Sequence, residues 1–181
     1  MTCIVGLKHG KKIFIGGDSA AVCGYEVTPR KDAKVFVRDG VAFGCAGSFR
    51  MRDLVRYSLE IPELRRGENL NEYMCVDFVD SLRACFTAGG HMRKDNEQER
   101  GACLLVGIRG RLFHIAWDYQ VGENSAPYSA IGCADQIALG AMTQLVPLGK
   151  GVTPERAIRR ALSAAALFNG GVCAPFKVVS A

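Results

Sequence analysis

The sequence predicts an α+β fold, and three observations carry that expectation. Short apolar segments joined by glycine-containing turns pair into hairpins at the start of the chain and again in its second half. Between and after them lie stretches whose apolar residues recur at helical spacing. The chain has 181 residues with 49% hydrophobic and 23% charged content, enough for a single domain over residues 1–181 with a sizeable core.

The elements follow in order. Residues 2–7 alternate as a strand, His9-Gly10-Lys11 forms a turn, and Lys12–Gly17 returns as a second strand. Residues 20–33, with Gly24, Pro29 and mixed charge, read as irregular. Lys34–Val37 is a strand, Asp39-Gly40 a tight turn and Val41–Cys45 the returning strand. Ser48–Ile61 reads as a helix through Met51, Leu54, Val55 and Leu59, and Pro62 breaks it. Arg65–Glu68 is a charged loop, and Asn69–Ala88 a longer helix with Leu70, Met74, Phe78, Val79, Leu82 and Phe86 on one side. Gly89–Gly101 is polar and reads as a mobile loop. Ala102–Ile108 and Arg111–Trp117 form a hairpin around Arg109-Gly110, followed by a loop over Tyr119–Pro127 and a strand over Tyr128–Ile131. Gln136–Leu145 is a helix. Thr153-Pro154 caps and opens another that runs to about Leu167, with Asn169-Gly170-Gly171 ending it. The last strand lies within Val172–Val179, and the chain is expected to carry no tail beyond it.

Composition excludes several functions. No apolar run reaches membrane-spanning length, and the N-terminus lacks the flanks of a secretory signal. The net charge of +5 is spread over short clusters, and no RNA- or DNA-binding motif is present, so neither nucleic acid nor membrane is an expected partner. Eight cysteines include no Cys-x-x-Cys pair, and His9, His91 and His114 have no metal-ligand spacing with them. A reducing, cytoplasmic protein without metal or cofactor is the expectation.

The candidate chemistry starts at Thr2. Thr is small enough for removal of the initiator Met, which would leave an α-amine and a hydroxyl on one residue, a base beside a nucleophile. Thr2 also suits the plain role of first residue in an edge strand. The first hairpin brings Asp18, after Gly16-Gly17, to the level of the N-terminus, where it serves as a turn residue or as a site carboxylate. Lys34 opens an apolar strand and needs a carboxylate partner unless it snorkels to the surface. In Ala46-Gly47-Ser48, the Gly47 N–H at a helix start suits an oxyanion hole, and Ser48 suits an N-cap.

Thr2, Gly16-Gly17-Asp18, Ala33-Lys34-Val35 and Ala46-Gly47-Ser48 together resemble the proteasome β-type peptidases, with the bacterial HslV peptidase the nearest look. The motifs are clear to about residue 50, and the likeness continues through element order to Phe176. Asp18 and Lys34 lie 16 and 32 residues beyond Thr2, matching the family's catalytic Thr, Asp and Lys. Taking Cys3 as the N-terminal nucleophile would shift both intervals by one, and one residue along a strand reverses the face.

The resemblance implies a four-layer αββα sandwich of the N-terminal-nucleophile type and a threonine peptidase acting on peptides or unfolded protein. Thr2, Asp18, Lys34 and the Gly47 N–H would form its catalytic set. Cys133 stands where the family has a Ser whose hydroxyl supports the threonine amine, and Gly170–Cys173 offers no Asp where the family often has one. By the same analogy Ala21, Asp32, Cys45 and Phe49 would line the pocket for the residue before the cut, with Asp32 hinting at basic side chains. The family implies stacked homo-oligomeric rings, hexameric or heptameric, with a ring ATPase as possible partner and no cofactor. Two alternatives stay open: a small-molecule amidase using the same Thr2, and a non-catalytic ring subunit in which Met1 is retained.

Overall fold

A computed structural model describes all residues except 96, 97 and 102, and residues 93–95 in backbone only. The chain begins with the hairpin β1 (Cys3–His9) and β2 (Lys12–Gly17). A smaller hairpin follows, β3 (Ala20–Cys23) with β4 (Glu26–Pro29), where the sequence suggests irregular chain. Strand β4 is exposed at every position, so no buried face imposes alternation on its sequence. Next come β5 (Val35–Arg38), β6 (Val41–Ala46) and α1 (Phe49–Tyr57). The Ser48 hydroxyl accepts from the Arg50 and Met51 N–H groups and so caps α1, which stops four residues before the expected Ile61.

The second helical stretch is continuous but not uniform. It runs as α2 (Leu70–Tyr73), a π turn over Met74–Phe78, and α3 (Val79–Ala88), with Tyr73, Met74 and Phe78 all buried. Two three-residue strands, β7 (Arg93–Asp95) and β8 (Gln98–Arg100), pair within the expected loop; the expected strand start at Ala102 lies outside the described residues. Then follow β9 (Cys103–Ile108), β10 (Arg111–Ile115), β11 (Val121–Glu123), β12 (Tyr128–Gly132), α4 (Asp135–Leu145), α5 (Pro154–Phe168) and β13 (Lys177–Ser180). Thr153 caps α5 through its hydroxyl, with Pro154 as first residue.

These elements build four layers. One sheet has the order β12-β1-β2-β13 and the other β11-β10-β9-β6-β5, antiparallel throughout. Alternation in β1 sends Cys3, Val5 and Leu7 towards α4 and α5, where Ala138, Met142, Ile158, Ala161 and Leu162 are buried. Ile4 faces the other way, into an aliphatic layer between the sheets with Ile13, Ile15, Val35, Leu105 and Ile131. The second sheet turns Phe43, Cys45, Leu104, Val106 and Phe113 towards α1 and the 70–88 helix. Three apolar layers between four sets of elements make an αββα sandwich. Side-chain-free positions let the layers close: a Cβ on Gly16 would meet Ile158 Cγ2 at 2.3 Å, and one on Gly17 would meet Ile4 Cδ1 at 2.7 Å. Among the described residues no helix is long and apolar enough to cross a membrane.

Candidate active site

The site lies where the first hairpin meets the end of β5's leading turn. Register pairs Ile4 with Gly17, so Asp18 continues β2 to the level of Thr2 and Cys3. Asp18 is 2% exposed, Lys34 4% and Thr2 5%, so all three are polar groups held inside the protein. A buried carboxylate must be paired or hydrogen-bonded at each oxygen, and Asp18 is. Its Oδ1 accepts from the Cys3 N–H at 2.9 Å and from Lys34 Nζ at 2.9 Å. Its Oδ2 accepts from the Ala20 N–H at 2.8 Å and from Lys34 Nζ at 3.0 Å. The Lys34 ammonium thus finds its counter-ion in the core rather than snorkelling outward.

Lys34 Nζ also donates to the Met1 carbonyl at 3.3 Å, and the Thr2 hydroxyl donates to the same carbonyl at 2.5 Å. With Met1 in place the Thr2 nitrogen is a peptide amide, and the oxygen of that peptide sits between hydroxyl and ammonium. The Thr2 N–H points to Cys133 Sγ at 3.4 Å. Cys133 returns its own N–H to the Thr2 carbonyl at 2.9 Å. Gly132 makes that approach possible: its φ is +106°, and a Cβ there would stand 2.1 Å from the Thr2 oxygen. Cys133 is itself held from α5's end. Asn169 Nδ2 donates to the Cys133 carbonyl at 3.3 Å, and Asn169 Oδ1 accepts from Cys133 Sγ at 3.5 Å and from the Gly171 N–H at 2.9 Å.

Asn169 is a residue that reading the sequence misses. It looks like a helix terminator, and its partner lies 36 residues away. A polar side chain just before Gly170-Gly171, in the loop where the resemblance calls for an Asp, is the signal that could have found it. Ser129 is buried but pairs with Gly6, well along β12 from Thr2, and Asp135 spends Oδ1 on the Gln136 N–H at 2.7 Å.

Cys3 faces away from Thr2, as alternation requires. Its Sγ donates to the Ala134 carbonyl at 3.7 Å, on the α4 side. Burial, with Asp18 adding to it, pushes the Cys3 thiol up to about 12, so it is no thiolate at neutral pH. Gly47 follows β6 at an exposed position with φ +137°, a conformation glycine adopts freely.

The four residues assigned to the specificity pocket are dispersed in environment. Ala21 is half-buried in β3. Cys45 is in the apolar layer beneath α1, where burial pushes its thiol up to about 12. Phe49 opens α1 with its ring 4.4 Å from the Arg30 guanidinium and 5.0 Å from that of Arg52. Asp32 is already taken: Arg30 binds it in bidentate fashion at 2.7 and 2.9 Å, and Arg52 Nη1 approaches at 2.6 Å. The Arg30 hydrogen bonds, joined by those of Arg52, hold its carboxyl far below the usual carboxylate range. Asp32 therefore offers no uncompensated charge to a basic side chain, and the hint of basic specificity loses its physical basis.

No family model matches this chain, and no curated protein sequence matches it. Solved structures do. Thiobacillus denitrificans BPH in complex with epoxomicin superposes with a TM-score of 0.81 at 19% identity, covering 99% of this chain and 98% of that one. Eukaryotic HslV from Trypanosoma brucei gives a TM-score of 0.70 at 20% identity, covering 99% and 98%. Anbu, an ancestral β-subunit from Yersinia bercovieri, gives 0.65 at 19% identity, covering 99% and 81%. At such identities the likeness is one of fold: this chain has the αββα fold of the HslV and proteasome-like proteins.

Proposed function

We propose that this chain is an N-terminal-threonine peptidase subunit that cleaves peptides or unfolded proteins inside a ring of its own copies. The observation that carries the reading is the buried Lys34–Asp18 pair beside Thr2, with Nζ–Oδ distances of 2.9 and 3.0 Å. A desolvated ion pair is costly unless each group is fully bonded, and here it stands beside a hydroxyl at the start of the chain.

With Met1 removed, the Thr2 nitrogen becomes an α-amine, a group that titrates near 7.7–8.0 in model peptides. The hydroxyl attacks the scissile carbonyl and gives its proton to the amine. The oxyanion forms against the Gly47 N–H, a donor of a type worth about 2.7–4 kcal/mol. The protonated amine then passes the proton to the leaving nitrogen, and water hydrolyses the Thr2 ester that remains. Lys34 is the cation beside Thr2, and Asp18 holds it in place through both carboxylate oxygens. Cys133 holds the Thr2 nitrogen and carbonyl, and Asn169 holds Cys133. The likeness in fold to HslV and BPH supports the same reading.

Enclosure in stacked hexameric or heptameric rings, fed by a ring ATPase, would keep such a site from folded proteins. Leu167 and Phe168 at the end of α5 and Tyr25 at the β3–β4 turn are large exposed apolar side chains that ring packing would cover. The test is Thr2→Ala. Cleavage of an unfolded substrate falls to background, while light scattering still reports the multimer; undiminished cleavage overturns the peptidase, and a monomer at micromolar concentration overturns the ring.

A second reading is a non-catalytic ring subunit that keeps Met1. It is favoured by Cys133, whose thiol meets the Thr2 N–H only at 3.4 Å, and by the lack of an Asp in Gly170–Cys173.

A further inference from the structure

A second pair of reactive side chains lies outside the Thr2 constellation. Cys103 opens β9 and His114 lies in β10, and their Sγ and Nε2 atoms are 3.2 Å apart. Register sets His114 opposite Leu105 and Ile115 opposite Leu104, so Cys103 and His114 are diagonal neighbours on one face of the sheet. That face is the one turned to the other sheet, since Leu105 and Leu112 belong to the inter-sheet layer. Cys103 also pairs with Ala46, the residue before Gly47. Both side chains are half-buried, at the rim of the layer rather than sealed in it.

We propose that Cys103 and His114 form a two-donor site for a thiophilic divalent cation of the Zn2+ type. Zinc holds thiolate sulfur at about 2.3 Å and imidazole nitrogen at about 2.0–2.1 Å, which in a tetrahedron separates the two donors by roughly 3.6 Å. Closing a 3.2 Å contact into a chelate therefore needs a few tenths of an ångström, and two paired strands already hold the donors face to face. A neutral imidazole has one ring-nitrogen lone pair to give, and a thiol binds a metal as its thiolate. Binding exchanges the thiol proton for the metal: one M2+ enters, one S–M and one N–M bond form, and one H+ leaves. No third His, Cys, Asp or Glu completes a ligand group among the described residues, so water fills the remaining positions.

The test is run on the full chain with and without Thr2→Ala. Titration with Co2+ should give a thiolate-to-cobalt charge-transfer band that saturates at one equivalent, with Zn2+ displacing it and one proton released per ion. The band should vanish in Cys103→Ser and in His114→Gln, and persist in Cys133→Ser. Serine can keep the hydrogen bond to His114, so unchanged thermal unfolding of Cys103→Ser separates loss of metal from loss of fold. Absence of the band in wild type, or its survival in Cys103→Ser, overturns the site.

Discussion

Among single residues, Cys133 is the one whose chemistry departs most from what the site would be expected to use. Its sulfur receives the Thr2 N–H at 3.4 Å and reaches Asn169 Oδ1 at 3.5 Å, long contacts for a weak donor and acceptor. A hydroxyl makes shorter and stronger bonds in the same place. Cys133→Ser is therefore expected to raise kcat/KM for peptide cleavage several-fold with little change in stability, since position 133 is exposed. Steady-state kinetics beside thermal unfolding checks this; a loss of activity in a folded variant would mean the thiol has a role of its own. The grouping of Thr2, Asp18 and Lys34 is legible because fixed spacing joins them to short patterns in the first fifty residues. Asn169 and the Cys103–His114 pair are not legible, because each depends on which strands or helix ends become neighbours.

Elements were readable where they carry a clear apolar pattern. Strands β1 and β2, buried on both faces, announce themselves as short apolar runs around the His9-Gly10-Lys11 turn, and helix α5 through its 3.6-residue period and Thr-Pro cap. The β3–β4 hairpin has no such pattern because β4 is exposed throughout. The π turn over Met74–Phe78 escapes notice for another reason: the extra residue is fixed by how Tyr73, Met74 and Phe78 pack on the sheet, including the Phe43–Phe78 rings at 6.3 Å. Packing between β2 and α5 yields a prediction at this scale. Gly16 has no room for a methyl group beside Ile158. Gly16→Ala should cost about 1–3 kcal/mol of stability, the usual range for overpacking. Urea denaturation reads it, and a midpoint equal to wild type would show that α5 is not seated as described.

For the whole molecule, the pattern of strands and helices gives α+β only; the four-layer order is what the resemblance implies, and which face of β1 meets which layer was settled by packing. That arrangement buries Cys3 and Cys45 in two different apolar layers and pushes each thiol up to about 12. An unfolded thiol ionises near 8.5. Above that pH the unfolded chain has lost protons that the folded chain retains, so stability falls as pH rises. The contribution is complete below about pH 8.5 and declines towards pH 12, by up to about 1.4 kcal/mol per pH unit for each thiol. Denaturation between pH 8 and 10.5 should show this slope, reduced in Cys45→Ala relative to that variant's own neutral value; a flat profile would place these thiols in water.

The account turns on whether the chain that folds around Lys34 and Asp18 begins at Thr2. Intact mass spectrometry of the purified, cleavage-competent protein measures that directly. The mass should be one methionine residue lighter than the encoded sequence, leaving Thr2 with a free amine; a cleavage-competent preparation that retains Met1 throughout would contradict it.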